Sequence, residues 1–202
     1  MTSLLEGKQP ALGLRERKKA KTRAAIQQHA LRLFREQGYD ATTVEQIAEA
    51  AEVSPSTFFR YFPTKEDVVL YDPFDPLIFA AFEAQPAALG PIPALRGALH
   101  AVFGTLSAEE LAEQRERATL MVAVPELRMR MLDQVVVSTQ QLAELVARRV
   151  GRRADELAMR TFAGAVIGAL MSPILAAIAD PTADYLALMD ASLAYLEAGL
   201  PL

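Results

Sequence analysis

The stretch TTVEQIAEAAEVSPSTFFRYFPTKEDVV, Thr42 to Val69, holds three helix starts in close succession. Thr43 and Gln46 stand three apart as a capping box, and Val44, Ile47, Ala48 and Ala51 form one apolar stripe, which predicts a helix of about two turns. Glu52 and Val53 interrupt it. Ser54 then supplies a capping hydroxyl and Pro55 takes the first helical position, where its missing N–H is harmless, so a second short helix is predicted to about Phe62. Thr64 and Asp67 repeat the capping pattern and open another.

Upstream, Ile26, Ala30, Leu33 and Phe34 recur at helical spacing opposite Gln27, Arg32, Arg35 and Glu36, until Gly38 closes the segment. A longer helix followed by two short ones joined by a tight turn is the helix-turn-helix arrangement. Phe58 and Phe62, four apart, then share a face toward Ile47, Val53 and Phe34. Ser56, Thr57, Arg60 and Tyr61 are left facing outward, where short hydroxyls and a long cation can reach phosphates and base edges. The same pattern also suits a small three-helix packing unit with a solvated face.

Charge separates the two ends of the chain. The net charge is −4, yet residues 1–65 carry eleven Lys/Arg against seven Asp/Glu, while residues 66–202 carry ten against eighteen. The run RERKKAKTR packs Arg15, Arg17, Lys18, Lys19, Lys21 and Arg23 around the single acid Glu16, which suits either a phosphate backbone or a solvated tail. With no Cys among 202 residues there is no disulfide framework and no thiolate chemistry, and the opening residues lack the pattern of a secretory signal, so a cytoplasmic protein is expected.

As a block, Thr42 to Val69 resembles the helix-turn-helix signature of the tetracycline-repressor (TetR) family of bacterial transcriptional regulators: paired Thr, Ile-Ala, Val-Ser, an aromatic cluster and Thr-Lys-Glu fall in register. The resemblance implies an all-α fold with an N-terminal three-helix DNA-binding domain and a C-terminal helical effector-binding and dimerisation domain. It also implies a repressor that binds an inverted-repeat operator in double-stranded DNA as a homodimer and is released by a small-molecule effector. By position, the DNA-facing residues are Thr42, Thr43, Ser54, Ser56, Thr57, Phe59, Arg60, Tyr61 and Lys65. Two departures stand out: Glu52 occupies the turn position where the family usually has Gly, and Phe59 stands where a Tyr often gives its hydroxyl to a phosphate. A Phe there can still touch a thymine methyl.

Past Thr64 the reading rests on pattern. The expected division is a disordered tail over 1–14, the DNA-binding domain over 15–64 and the effector-binding and dimerisation domain over 65–202. Pro73 and Pro76 predict a break before Leu77, a helix is expected near Ala94 to Leu106, Ser107 with Glu110 makes another capping box, and Pro125 and Gly151 bound a long helix. The segment FAGAVIGALMSPILAAIA approaches membrane-spanning length, but Ser172-Pro173 is expected to break it and its residues are small, so no membrane partner is expected.

Gly164, Ala165, Gly168 and Ala169 permit close helix approach, and with Leu193 they are the candidate dimer interface, since the resemblance implies a four-helix bundle formed by the last two long helices of each protomer. Candidate effector-lining residues are Phe79, Phe82, His100, Phe103, Met121 and Gln140, chosen as large, adaptable or isolated polar side chains, and their apolar character points to a hydrophobic or amphipathic effector. Neither His29 nor His100 follows an acid by three residues, and no Walker loop, H-E-x-x-H, G-x-S-x-G or G-x-G-x-x-G occurs, so no catalytic residue, metal or cofactor is expected. The alternative is a helical small-molecule-binding protein or enzyme whose helix-turn-helix-like head is an interaction module.

Overall fold

The computed structural model describes residues 13–180 and 182–201, and every regular element among them is an α-helix. In chain order these are α1 (Leu14–Gln37), α2 (Val44–Ala50), α3 (Pro55–Tyr61), α4 (Lys65–Leu70), α5 (Asp75–Glu83), α6 (Pro91–Phe103), α7 (Ala108–Ala123), α8 (Pro125–Val150), α9 (Leu157–Ala179) and α10 (Tyr185–Glu197). The tail expected to be disordered falls outside the described residues, except that Gly13 is described and Leu14 already opens α1.

The chain packs as two compact units, one running to Tyr71 and joined by Ala112–Arg128, the other made of Asp72–Leu111 and the chain from Met129 onward. The first unit therefore reaches past the boundary expected at residue 64. Val68 and Val69 of α4 are fully buried in its core beside Ile26, Ala30, Phe34, Ile47, Phe58 and Phe62, and Leu127 joins them from α8. Two buried side chains hold α4 in place. Gln27 Nε2 donates to the carbonyls of Val68 and Tyr71, each at 2.8 Å, and Arg117 Nη1 reaches Val69 O at 3.3 Å, so the unsatisfied C-terminal carbonyls of a six-residue helix find partners.

Local signals set the boundaries of the head. Both capping boxes close as expected: Gln46 N donates to Thr43 Oγ1 at 3.2 Å, and Asp67 N to Thr64 Oγ1 at 3.3 Å. Ser54 Oγ accepts from Thr57 N at 3.1 Å. Glu52 sits at φ 54°, a left-handed position that costs a non-glycine residue ~1–2 kcal/mol, which accounts for the expectation of Gly at this turn. The turn is closed by Val53 N donating to Ala48 O at 2.9 Å.

In the second unit, Asp72 Oδ1 accepts from Phe74 N at 2.8 Å, and this turn separates α4 from α5 at Pro73 as expected. Helix α6 begins at Pro91, earlier than Ala94, because Pro is well accommodated in a first helical turn. The expected break at Ser172-Pro173 does not occur: α9 continues through a buried Pro173, its packing outweighing one lost backbone hydrogen bond. Helix α9 is long and apolar enough to cross a membrane by length and composition, with a mean hydropathy of 2.1, but it lies packed along α10.

Arg96 on α6 grips Asp190 on α10 with two bonds of 2.8 Å and reaches Glu197 at 3.3 Å, while His100 Nε2 lies 3.1 Å from Asp190 Oδ1. The Arg96 guanidinium, helped by His100, holds the Asp190 carboxyl down at about 2. Because the folded-state value lies below the ordinary one, this contribution is fully present above about pH 4 and fades as pH falls toward about 2. We expect Asp190→Asn to lower stability by ~1 kcal/mol at neutral pH, after allowance for partial exposure, and by progressively less in acid. Urea midpoints across an acid pH series check this, and a difference that stays constant down to pH ~2 would contradict it.

Candidate nucleic-acid interface

Helix α3 is too short to hold itself, so its outward face depends on its inward one. Phe58 is fully buried, its ring 6.1 Å from that of Phe62, and together they press α3 onto α1 and α2. That anchoring turns Ser54, Ser56, Phe59 and Arg60 out to solvent and leaves Thr57 and Tyr61 half-buried at the edges. At the start of the helix the three hydroxyls form one network: Ser54 Oγ and Ser56 Oγ lie 2.9 Å apart, and Ser54 Oγ donates to Thr57 Oγ1 at 3.0 Å. Arg60 lies with its guanidinium carbon 5.5 Å from the Tyr61 ring centre, which keeps its side chain along the exposed face. Phe59 is 49% exposed, an apolar ring the core does not need. Thr43, also exposed, stands at the start of α2 with its oxygen accepting the capping bond.

Thr42 and Lys65 also make contacts within the head. Thr42 is buried, donating from Oγ1 to Gly38 O at 2.7 Å and accepting from Gln37 Nε2 at 3.1 Å, so it closes the loop after α1 rather than facing a partner. Lys65 lays its ammonium 4.1 Å from the Tyr39 ring centre and donates to the carbonyls of Tyr39 at 2.8 Å and Thr42 at 3.1 Å. Two of its three N–H groups thus tie the start of α4 to the loop before α2. Tyr39 completes the knot by donating to Glu66 Oε1 at 3.1 Å, and burial followed by the Glu66 carboxylate pushes its phenol up.

Some contributors escaped the sequence reading. Arg23, counted with the basic run, turns inward, its guanidinium carbon 4.8 Å from the Tyr71 ring centre and its Nη2 donating to Tyr61 O at 3.4 Å. Gln27 and Arg117 support α4 from within. Their partners lie 41 and 48 positions away along the chain, so no local spacing announces them.

The six candidate effector residues do not form one cluster. Met121 packs against the core of the first unit. In the second unit, Phe82 and Phe103 are buried core, Phe103 lying tilted against Phe74 at 5.6 Å and edge-on to Tyr185 at 6.0 Å, and Phe79 packs against the same cluster. His100 is 54% exposed and belongs to the Asp190 network. Gln140 lies on the exposed side of α8 and lines a recess of about 510 Å³ in which Val135, Val136 and Ala143 face the charged side chains Glu144, Asp155 and Arg160. The size and apolar character that singled out the phenylalanines are equally those of core side chains.

Among the expected interface residues, Gly164, Ala165 and Gly168 are exposed, Ala169 is half-buried, and added Cβ atoms at both glycines would meet nothing within 4 Å. Leu193 is fully buried beside Met189 inside the protomer, because it shares the inward phase of α10; Ala187, Ala191 and Tyr195 take the outward one.

Residues 26–71 match the family of bacterial regulatory proteins called tetR, and residues 89–201 match the MftR C-terminal domain. The transcriptional regulator TcmR of Streptomyces glaucescens is 40% identical over 151 residues, which cover 71% of this chain and 67% of that protein. In fold, the chain is similar to FadR of Thermus thermophilus, a repressor solved with lauroyl-CoA, at a TM-score of 0.58 and 24% identity, covering 89% of this chain and 95% of that one. It is also similar to SmeT of Stenotrophomonas maltophilia in complex with triclosan, at a TM-score of 0.57 and 20% identity, covering 86% and 90%. With a helix-turn-helix head presenting hydroxyls, an arginine and aromatics, and a family match across more than half its length, the chain belongs to the TetR family and is a DNA-binding transcriptional regulator.

Proposed function

We propose that the protein is a cytoplasmic repressor that binds an inverted-repeat operator as a homodimer and is released by a small hydrophobic or amphipathic effector taken up by the second unit. The observation that carries this reading is the face of α3, where Ser56, Phe59 and Arg60 stand clear of the core that anchors them, with Thr57 at its edge. One such helix covers only a few base pairs, so useful specificity needs two at a fixed spacing, which a two-fold dimer supplies. The uncovered face of α9 supports that assembly. Its Thr161, Gly164, Ala165, Gly168, Ser172, Leu175 and Ala176 recur at helical spacing, all exposed, on a helix whose most apolar stretch is only 22% buried in the protomer. The effector class rests on the mixed lining of the recess beside Gln140, where Val135, Val136 and Ala143 stand with Thr139 and the charged Glu144, Asp155 and Arg160, a lining that suits an amphipathic molecule best.

The test is selection of bound duplexes from random sequence. An inverted repeat is the expected product, and Arg60→Ala is expected to cost ~1–3 kcal/mol and to relax the preference at one position of each half-site. Titration of the selected duplex with wild type and variant measures both. Unchanged affinity and preference would remove Arg60 from base reading.

A further inference from the structure

No residue from Leu14 to Ala25 is buried, Ile26 being the first that is, and every residue from Leu14 to Lys19 is exposed. Within these first turns of α1, Arg15, Lys18, Lys19 and Thr22 recur at the three- and four-residue spacing that puts them on one face, so like charges crowd the exposed start of the helix. Among the described residues no ion pair engages Arg15, Lys18 or Lys19. This face does not point into empty solvent alone: with Leu14 and Glu16 it forms one wall of a groove of about 830 Å³, and Arg60 and Tyr61 at the end of α3 line the same groove. The basic stripe and the exposed face of α3 therefore border one space.

We infer that this groove takes the sugar–phosphate backbone beside the base pairs facing α3, so that the leading turns of α1 are a second DNA-contact element. The inference rests on the reading of α3 as the DNA-facing helix. A polyanion at this place relieves the repulsion along the stripe, and among the described residues Glu16 is the only acid in the groove wall. Contacts of this kind add affinity that falls with salt and carry no base information. Arg23 takes no part, since it is turned into the aromatic cluster of the head.

The experiment compares two pairs of neutralised cations on a duplex selected by the wild-type protein, with affinity followed by fluorescence anisotropy across a potassium chloride series. Lys18→Gln with Lys19→Gln removes two charges from the groove wall, and Arg17→Gln with Lys21→Gln removes two from the opposite side of the same helix. The first pair is expected to lower the slope of log affinity on log salt by about 2 and to weaken binding ~10-fold or more at physiological salt, with the selected sequence unchanged. The second pair is expected to leave the slope nearly as in wild type. Equal changes from both pairs would reduce the stripe to general electrostatic attraction and overturn the inference, as would an unchanged slope in the first pair. A wild-type protein that selects no duplex at all would remove the reading of α3 as well, which separates the two failures.

Discussion

Replacing Phe58 by Ala is expected to cost ~3–5 kcal/mol and to abolish operator binding at every salt concentration. The ring is fully buried, with Phe59 edge-on at 5.5 Å and Phe62 at 6.1 Å, and it is the main anchor of a seven-residue helix that has no stability of its own. A head of this size has only a few kcal/mol in reserve, so the loss falls on its folding rather than on one contact. Phe59→Ala is the natural comparison: with its ring half in water, it removes little from the core and acts on DNA affinity. Urea unfolding followed by circular dichroism, paired with anisotropy titrations, separates the two. A Phe58→Ala protein with the wild-type midpoint would show that α3 is held by something other than its aromatic face.

The second large effect is expected from Gly168→Leu. Within the protomer an added Cβ at this position meets nothing within 4 Å, so the substitution leaves the protomer's own packing alone. If the exposed stripe of α9 is covered by a second copy, the same leucine is overpacked against the partner helix, and two-fold symmetry applies the effect twice. At ~1–3 kcal/mol per site this amounts to ~2–6 kcal/mol of dimer stability, enough to move dissociation by orders of magnitude. Operator affinity then falls in step, while an isolated half-site keeps weak, salt-sensitive binding. Light scattering over a concentration series, alongside operator titrations, is the measurement. A variant that stays dimeric at the lowest concentrations would move the interface away from this stripe.

What the sequence determined by itself is local. The caps at Thr43, Ser54 and Thr64, the prolines at Pro55 and Pro125, and the apolar phase of Ile26, Ala30 and Phe34 act within one or two turns of backbone, so helix starts and the inward face of the head follow from spacing alone. The outward placement of Ser56, Phe59 and Arg60 follows too, because residues opposite a buried Phe58 have nowhere else to point. Tertiary structure decided which polar groups remain free. The loop between α1 and α2 buries Thr42 against the Gly38 carbonyl and gives two of the three N–H groups of Lys65 carbonyl partners, contacts that no spacing announces. The same holds for Leu193, whose phase on α10 turns it into the protomer, and for the phenylalanines of the second unit, which the core absorbs. Residues 112–128 join the head because Leu127 and Arg117 find partners there, a choice made between segments far apart in the chain. Spacing along a helix specifies a face, and only the packing of distant segments specifies what that face meets.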